Sequence, residues 1–189
     1  MTTLASTIRN GVDTQQMFGT LDAIGAQPEL GAFTFRATNQ WLNGAHNRST
    51  IKGFFGAGGE DTTRTEAFLL DAGEPAVLLG TDTGPNPAEY LLHALAACLT
   101  TTLVYSASAR KVRLTEVSST FEGDMDVRGC LGIDDAFRNG FTQIRATFHI
   151  KGDAPAEKLR AIVENAQKRS AVYDMVRNGV PISIEAVAE

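Results

Sequence analysis

The chain has few cysteines, few histidines and no excess of positive charge, and each shortage excludes a class of protein. Its two cysteines, Cys98 and Cys130, are 32 positions apart and form no CxxC pair, so a disulfide framework is excluded and a reducing compartment is expected. The net charge is -5, and no basic cluster exceeds residues 110–113, so no nucleic-acid partner is expected. Metal-ligand spacing is absent among the three histidines, which are His46, His93 and His149. Neither a metal nor another cofactor is therefore expected.

Several motifs are also missing. The glycine-rich residues 53–60, GFFGAGGE, are not followed by GK[ST] or a helix, which favours a hairpin tip over a phosphate loop. No GxSxG elbow supports a catalytic triad of Ser170, His149 and Asp174. The N-terminus lacks the basic-then-apolar layout of a signal peptide, so the cytoplasm is the expected location.

The most distinctive stretch that is present is an uncharged run between Glu89 and Arg110, with Cys98 in its middle. Asn86 is a suitable N-cap, Pro87 suits the first helical position, and Glu89 completes a capping box. The following residues are apolar nearly all the way round, which predicts a buried helix over residues 86–109.

A transmembrane span is the competing interpretation on length alone. His93, three consecutive threonines and two serines argue against it, and no basic flank follows the positive-inside pattern. No membrane partner is therefore expected.

The remaining patterns predict an α+β fold. Residues 1–30 form an N-terminal extension, either a short helix capped by Asp13 and Gln16 or a loosely docked arm. Period-two alternation predicts strands, and the order is three strands, the buried helix, two strands, a second helix and a last strand. The strands cover residues 33–38, 50–55, 66–71, 117–127, 141–151 and 182–187, with a turn at Asn43-Gly44. The second helix covers residues 154–170, with Asp153 as N-cap and Pro155 just inside.

Cys98 is the one residue that stands out chemically. It lies about three turns into its helix, too far from the N-terminus for the helix dipole to acidify it. Burial in apolar surroundings predicts a raised pKa, so these considerations favour an inert core cysteine. A reactive thiol would need a cation from a hairpin or a second subunit, because His93 lies about 140° away round the helix.

Three segments resemble the OsmC/Ohr family of osmotically inducible and organic-hydroperoxide-resistance proteins. They are NPAEYLLHALAACL (86–99), FEGDMDVRG (121–129) and RSAVYDMVRNGVPISI (169–184), and their order and spacing match over about residues 33–187. The resemblance implies an OsmC-like domain over residues 31–189. It also implies an intertwined homodimer whose antiparallel sheets wrap the central helices, with thiol sites at the interface.

The resemblance implies site residues as well. Cys98 matches the family's peroxidatic cysteine, whereas the family's resolving cysteine falls at Ser170, whose hydroxyl cannot form a disulfide. The family's glutamate falls at Ala88, with Glu89 one position late. The family's arginine comes from an early strand or loop, which makes Arg48 the first candidate and Arg64 the second.

Two functional hypotheses follow. The first is thiol-dependent reduction of organic hydroperoxides, with Cys98 as nucleophile and resolution by an external thiol reductant or by Cys130. The alternative is a non-catalytic dimer that binds a small apolar ligand in the interface pocket, with Cys98 as packing. A structural dimer without a ligand is the third interpretation.

Overall fold

A short hairpin begins the part of the chain that the computed structural model describes, residues 7–188. Its strands are β1 (Ile8–Arg9) and β2 (Val12–Asp13). The first six residues of the predicted N-terminal extension, and Glu189, lie outside the described residues. The chain divides into two compact units: the small unit, Asp13–Leu91, and the core unit, residues 7–12 with residues 92–188. The predicted boundary after residue 30 stays a prediction.

The small unit starts with a helix where the sequence left two alternatives. Asp13 caps α1 (Thr14–Ala26) by accepting hydrogen bonds from the backbone N–H groups of Gln15 and Gln16. A 3-10 turn, Pro28–Gly31, follows the helix. The capped helix is therefore the alternative that the structure adopts.

Six strands of the small unit form two antiparallel sheets. The strands are β3 (Thr34–Phe35), β4 (Thr38–Asn43), β5 (His46–Ile51), β6 (Phe54–Gly56), β7 (Gly59–Glu60) and β8 (Phe68–Ala72). The sheet orders are β3-β6-β7 and β4-β5-β8. The predicted turn at Asn43-Gly44 lies one residue later, because Asn43 ends β4 and pairs with His46, and residues 44 and 45 form the turn. The glycine-rich stretch is a hairpin whose turn residues Ala57 and Gly58 both have positive φ. A further 3-10 turn, Ala76–Leu78, precedes the long helix.

Two predicted strands are each divided by a change of sheet. The alternation over 33–38 spans β3 and the start of β4, and the alternation over 50–55 spans the end of β5 and β6. β3 pairs with β6, whereas β4 pairs with β5, so the chain leaves one sheet and enters the other at both places. A period of two records side-chain alternation but carries no information about which strand is the partner.

The predicted central helix is α2 (Pro87–Ala109), and its capping box is present. The Asn86 side chain accepts from the Glu89 N–H, and the Glu89 carboxylate accepts from the Asn86 N–H, both at 2.8 Å. The helix is not buried all round within one chain. Leu95, Leu99 and Leu103 are buried, whereas Tyr105 is 52% exposed.

In the rest of the core unit, two strands and a helix share one hydrophobic core with α2. The elements of this part are β9 (Leu114–Asp124), α3 (Val127–Cys130), β10 (Gln143–Gly152), α4 (Ala156–Arg169) and α5 (Ala171–Asn178). β9 and β10 form the predicted antiparallel hairpin. The hydrophobic core joins α2 to α4 and the intervening turn through Leu103, Ala107, Val112, Leu159, Ile162 and Ala166.

Two predictions about the C-terminal third are wrong. The N-cap of α4 is Pro155, and Asp153 instead accepts a hydrogen bond from the Arg113 N–H at 2.7 Å. No strand forms over residues 182–187, although the side chains alternate. A strand requires a hydrogen-bonded neighbour, and within residues 7–188 no segment pairs with this one.

Candidate functional site

Cys98 lies on α2 at a half-buried position. On the same helix, Leu95, Leu99 and Leu103 form a buried stripe, which we call the leucine stripe. The hydroxyl of Thr102, one turn after Cys98, donates to the Cys98 carbonyl oxygen at 2.8 Å. The helix therefore fixes the position of the thiol but, as predicted, does not present its own N-terminus to it.

Ser170 is the residue that the fold brings to the thiol. It ends α4 and is the N-cap of α5, with 2% of its surface exposed. Its Oγ accepts a hydrogen bond from the Tyr173 N–H at 3.2 Å and donates to the Cys98 Sγ at 3.1 Å. Because Oγ accepts the backbone bond through a lone pair, its single proton is free to be directed at the sulfur.

The environment of Cys98 lowers the pKa of its thiol. Burial raises the pKa, but hydrogen bonds from the Ser170 hydroxyl and from the backbone N–H groups of Val172 and Ala171 lower it, and the net shift is downward. The expectation of a raised pKa is therefore wrong. It considered only α2, whereas the N–H groups at the sulfur belong to the N-terminus of α5.

The sequence carried a signal for this arrangement. Ser170 precedes an eight-residue amphipathic segment, and serine is among the preferred N-cap residues. The predicted second helix, residues 154–170, included Ser170 as a helical residue and therefore missed the boundary between α4 and α5.

Cys130 is not brought to Cys98. It ends the short helix α3, is exposed, and its thiol donates to the Val127 carbonyl oxygen at 3.3 Å. Both cysteines are free thiols. The two thiols are therefore not bonded to each other within the described residues of one chain, and resolution by Cys130 stays a prediction.

The predicted charged residues lie in the small unit, where each has a partner. Arg48 binds Asp71 through two hydrogen bonds, Nε to Oδ1 at 2.9 Å and Nη2 to Oδ2 at 3.0 Å. His46 Nε2 lies 2.8 Å from the same Oδ1, and together Arg48 and His46 lower the pKa of Asp71. Glu89 is occupied by the capping box. No local sequence pattern indicates a role for Asp71.

Arg64, the second arginine candidate, has a different environment. Its guanidinium lies 5.0 Å from the ring centre of Phe54 and 5.5 Å from that of Phe68. It also donates to the Lys52 carbonyl oxygen at 3.1 Å. Aromatic rings therefore hold this cation in the small unit, and its approach to the thiol stays a prediction.

The core unit contains a cavity of about 330 Å³ next to the thiol site. Side chains of α2, β9, β10, α4 and α5 line it: Leu95, Leu99, Leu103, Phe121, Ile144, Ala146, Phe148, Val163, Ala166, Gln167, Tyr173, Val176 and Arg177. Cys98 directly precedes Leu99, which lines the cavity. Tyr173 also lines the cavity, and its backbone N–H donates to the Ser170 Oγ. α5 thus contributes to the thiol site and to the cavity.

Across residues 7–188, no group of three or more His, Cys, Asp or Glu side chains is arranged to hold a metal ion. α2 is long and apolar enough to cross a membrane by length and composition. Its Leu95, Leu99 and Leu103 are buried, as in the core helix of a soluble protein, and nothing else in the described residues indicates a membrane protein.

Comparison with known protein families identifies one matching family. The family model described as OsmC-like protein matches residues 80–185, more than half of the chain. No curated protein matches the chain.

Solved structures match over most of the chain. An OsmC-like protein from Mycoplasma pneumoniae is 15% identical with a TM-score of 0.59, over 76% of this chain and 87% of that one. An organic hydroperoxide resistance protein OsmC from Legionella pneumophila is 19% identical with a TM-score of 0.51, over 77% and 90% of the two chains. One from Elizabethkingia anophelis is 17% identical with a TM-score of 0.50, over 76% and 88%. At these identities the likeness shows the fold alone.

Proposed function

Because the chain belongs to the OsmC-like family, we propose that it reduces organic hydroperoxides through a thiol, with Cys98 as the nucleophile. The observation that carries the proposal is the hydrogen bond from Ser170 to the Cys98 Sγ, beside the N-terminus of α5. These donors favour the thiolate, the nucleophilic form of cysteine. Two structural neighbours named organic hydroperoxide resistance proteins support the choice of substrate.

In the proposed reaction the Cys98 thiolate attacks one oxygen of the hydroperoxide. A sulfur–oxygen bond forms while the oxygen–oxygen bond breaks, and the released alkoxide takes up a proton to leave as the alcohol. The sulfur becomes a sulfenic acid, having lost the two electrons that the peroxide gained.

The sulfenic acid must then be reduced by a thiol. Ser170 occupies the place beside the sulfur but cannot form a disulfide, and the Cys130 thiol is bonded to its own helix. We therefore favour an external thiol, which condenses with the sulfenic acid to a mixed disulfide and releases water. A second thiol then regenerates Cys98.

The remaining parts of the proposal come from the family resemblance. The protein acts as an intertwined homodimer in the cytoplasm, with antiparallel sheets wrapping the central helices. Arg48 is the proposed cation for the thiolate, and Asp71 holds it in the way the family's glutamate holds its arginine. Glu89 is less suited than Asp71 to hold the arginine, because the capping box occupies its carboxylate.

Stopped-flow consumption of cumene hydroperoxide in the presence of dithiothreitol tests the proposal. We expect rapid turnover by the wild-type protein, and loss of turnover in Cys98→Ser. Cys130→Ser is the matched control, because it removes the other thiol, and it should turn over as fast as wild type. Equal rates for wild type and Cys98→Ser would refute the proposal.

The pH dependence of alkylation gives a second test. Since the folded-state pKa of Cys98 is depressed, the thiolate forms at a lower pH than in a free cysteine, whose pKa is about 8.5. Iodoacetamide should therefore reach its maximal rate with Cys98 at a lower pH than with glutathione measured alongside. The same shift stabilises the fold above the unfolded-state pKa, and this stabilisation is lost as the pH falls through the folded-state pKa. A profile at or above that of glutathione would count against a reactive thiol.

Ligand binding without catalysis is the second candidate, and the cavity in the core unit favours it. Apolar side chains line most of this space, as in small-molecule sites. An apolar ligand should raise the thermal midpoint of the protein, and the absence of any stabilising or co-purifying ligand would weaken this alternative.

A further inference from the structure

The lining of the core-unit cavity has a large apolar part and a small hydrogen-bonded polar part, Gln167, Tyr173 and Arg177, which we call the polar end. Most of the lining is apolar and consists of Leu95, Leu99 and Leu103 of α2 together with side chains of β9, β10, α4 and α5. The residues that line it from the last helices include three polar side chains: Gln167, Tyr173 and Arg177. Gln167 and Arg177 are exposed, so the polar groups lie where the cavity meets solvent.

The polar end offers hydrogen-bond donors. The Tyr173 hydroxyl oxygen accepts from Gln167 Nε2 at 2.6 Å and from Arg177 Nη1 at 3.3 Å. With its oxygen accepting both bonds, the hydroxyl keeps its own proton to donate. Arg177 retains further N–H groups of its guanidinium, since one of its five N–H donors is used in this contact.

Among the described residues, no carboxylate forms an ion pair with the guanidinium at the polar end. The lining includes no Asp or Glu. Across residues 7–188, the ion pairs within 4.0 Å do not include Arg177. A guanidinium and a phenol at the mouth of an apolar cavity complement a ligand with an apolar body and a small anionic head.

We propose that this cavity binds an aliphatic monocarboxylate, with its chain along the leucine stripe of α2 and its carboxylate on Arg177 and Tyr173. A single guanidinium fork matches the two oxygens of one carboxylate. A phosphate dianion would require more positive charge than the polar end provides. A volume of about 330 Å³ is at the small end of ligand sites, which suits a medium-length chain.

The inference deepens the second candidate function and does not depend on peroxide chemistry. Cys98 is not among the lining residues, so a Cys98→Ser variant should bind the carboxylate as wild type does. Failure of the peroxidase proposal and failure of this inference are therefore distinguishable in the same variant.

Isothermal titration calorimetry with octanoate and with 1-octanol tests the inference, because the two probes share a chain length and differ in the charged head. We expect octanoate to bind roughly tenfold or more tightly than octanol. Arg177→Gln should reduce octanoate affinity to about the level of octanol and leave octanol unchanged. Arg160→Gln is the charge-matched control, because Arg160 is exposed on α4 and lies outside the lining, and it should change neither affinity.

A second variant tests the apolar body of the site. Ala146 is exposed on β10 and lines the cavity, so Ala146→Trp should fill the space from the solvent side without disturbing buried residues. We expect it to abolish binding of both probes, with circular dichroism reporting an unchanged fold. Equal binding of octanoate and octanol, octanoate binding that is insensitive to Arg177→Gln, or no binding of either probe at millimolar concentration would each overturn the inference.

Discussion

Ser170 has two structural roles at once, because it ends one helix and caps the next. Its oxygen holds the backbone of α5, and its proton points at Cys98. The residue that prevents an internal disulfide is therefore also a donor that favours the thiolate. In the proposed reaction, the serine at the position of the family's resolving cysteine would therefore still donate to the sulfur of Cys98.

The short distance between Ser170 and Cys98 predicts that a cysteine at position 170 would be a resolving cysteine. In Ser170→Cys treated with a stoichiometric organic hydroperoxide, we expect a 98–170 disulfide, because the present Oγ–Sγ distance is 3.1 Å. Peptide mass spectrometry under non-reducing conditions would detect it. The Ser170→Cys substitution should be combined with Cys130→Ser, so that only one disulfide can form within the chain. A persistent sulfenic acid with both thiols unlinked would contradict the prediction.

At the scale of elements, α4 is held to α2 by a small number of buried side chains. Ile162 is fully buried and packs in the same core as Leu103 and Ala107. The core continues through Leu159 and Ala166, on the same stripe of α4. Because α5 follows α4 directly, the position of Ser170 beside the thiol depends on this packing.

Substitutions at Ile162 should therefore lower the free energy of unfolding in a graded way. We expect a loss of about 0.5–1.5 kcal/mol for Ile162→Val and about 2–5 kcal/mol for Ile162→Ala, because each leaves a cavity. Arg160→Gln, on the exposed face of the same helix, should stay within about 0.5 kcal/mol of wild type. Urea unfolding at one fixed protein concentration measures all three, and equal losses for the two isoleucine variants would be inconsistent with this packing.

At the scale of the whole molecule, one chain leaves many large apolar side chains in water. Phe35 is 72% exposed, Trp41 69% and Ile184 91%. The proposed homodimer would cover side chains of this kind where they form a contiguous apolar surface. The residues of 182–187 alternate as a strand does, yet no described segment pairs with them, which is consistent with a partner supplied by a second copy.

The proposed homodimer predicts a solution mass of twice the 20.2 kDa of one chain, measured by light scattering after size exclusion. Ile184→Asp should shift the population towards monomer, because a charge at an apolar interface is costly to bury. The matched control Glu185→Asp, next to it, should leave the mass unchanged. A monomeric wild-type protein at micromolar concentration would rule out the dimer.

The strongest local patterns determined most of the elements. The capping box and the uncharged run predicted α2, and alternation predicted β9 and β10 with their hairpin, because periodicity and caps are properties of neighbouring residues. The family resemblance identified Cys98 and position 170. The change of sheet between β3 and β4, and the missing last strand, were not predictable in this way, because strand partners lie far away in the sequence.

Local residue patterns therefore predicted the main elements, and the family resemblance predicted the position of the thiol. The chemical environment of that thiol depends on how the chain folds. A pKa depends on groups within a few ångströms, and the donors at Cys98 come from a helix that begins 73 residues later. The same holds for the Arg48–Asp71 pair and for the cavity with Arg177 at its mouth, since each is assembled from elements that only folding brings together.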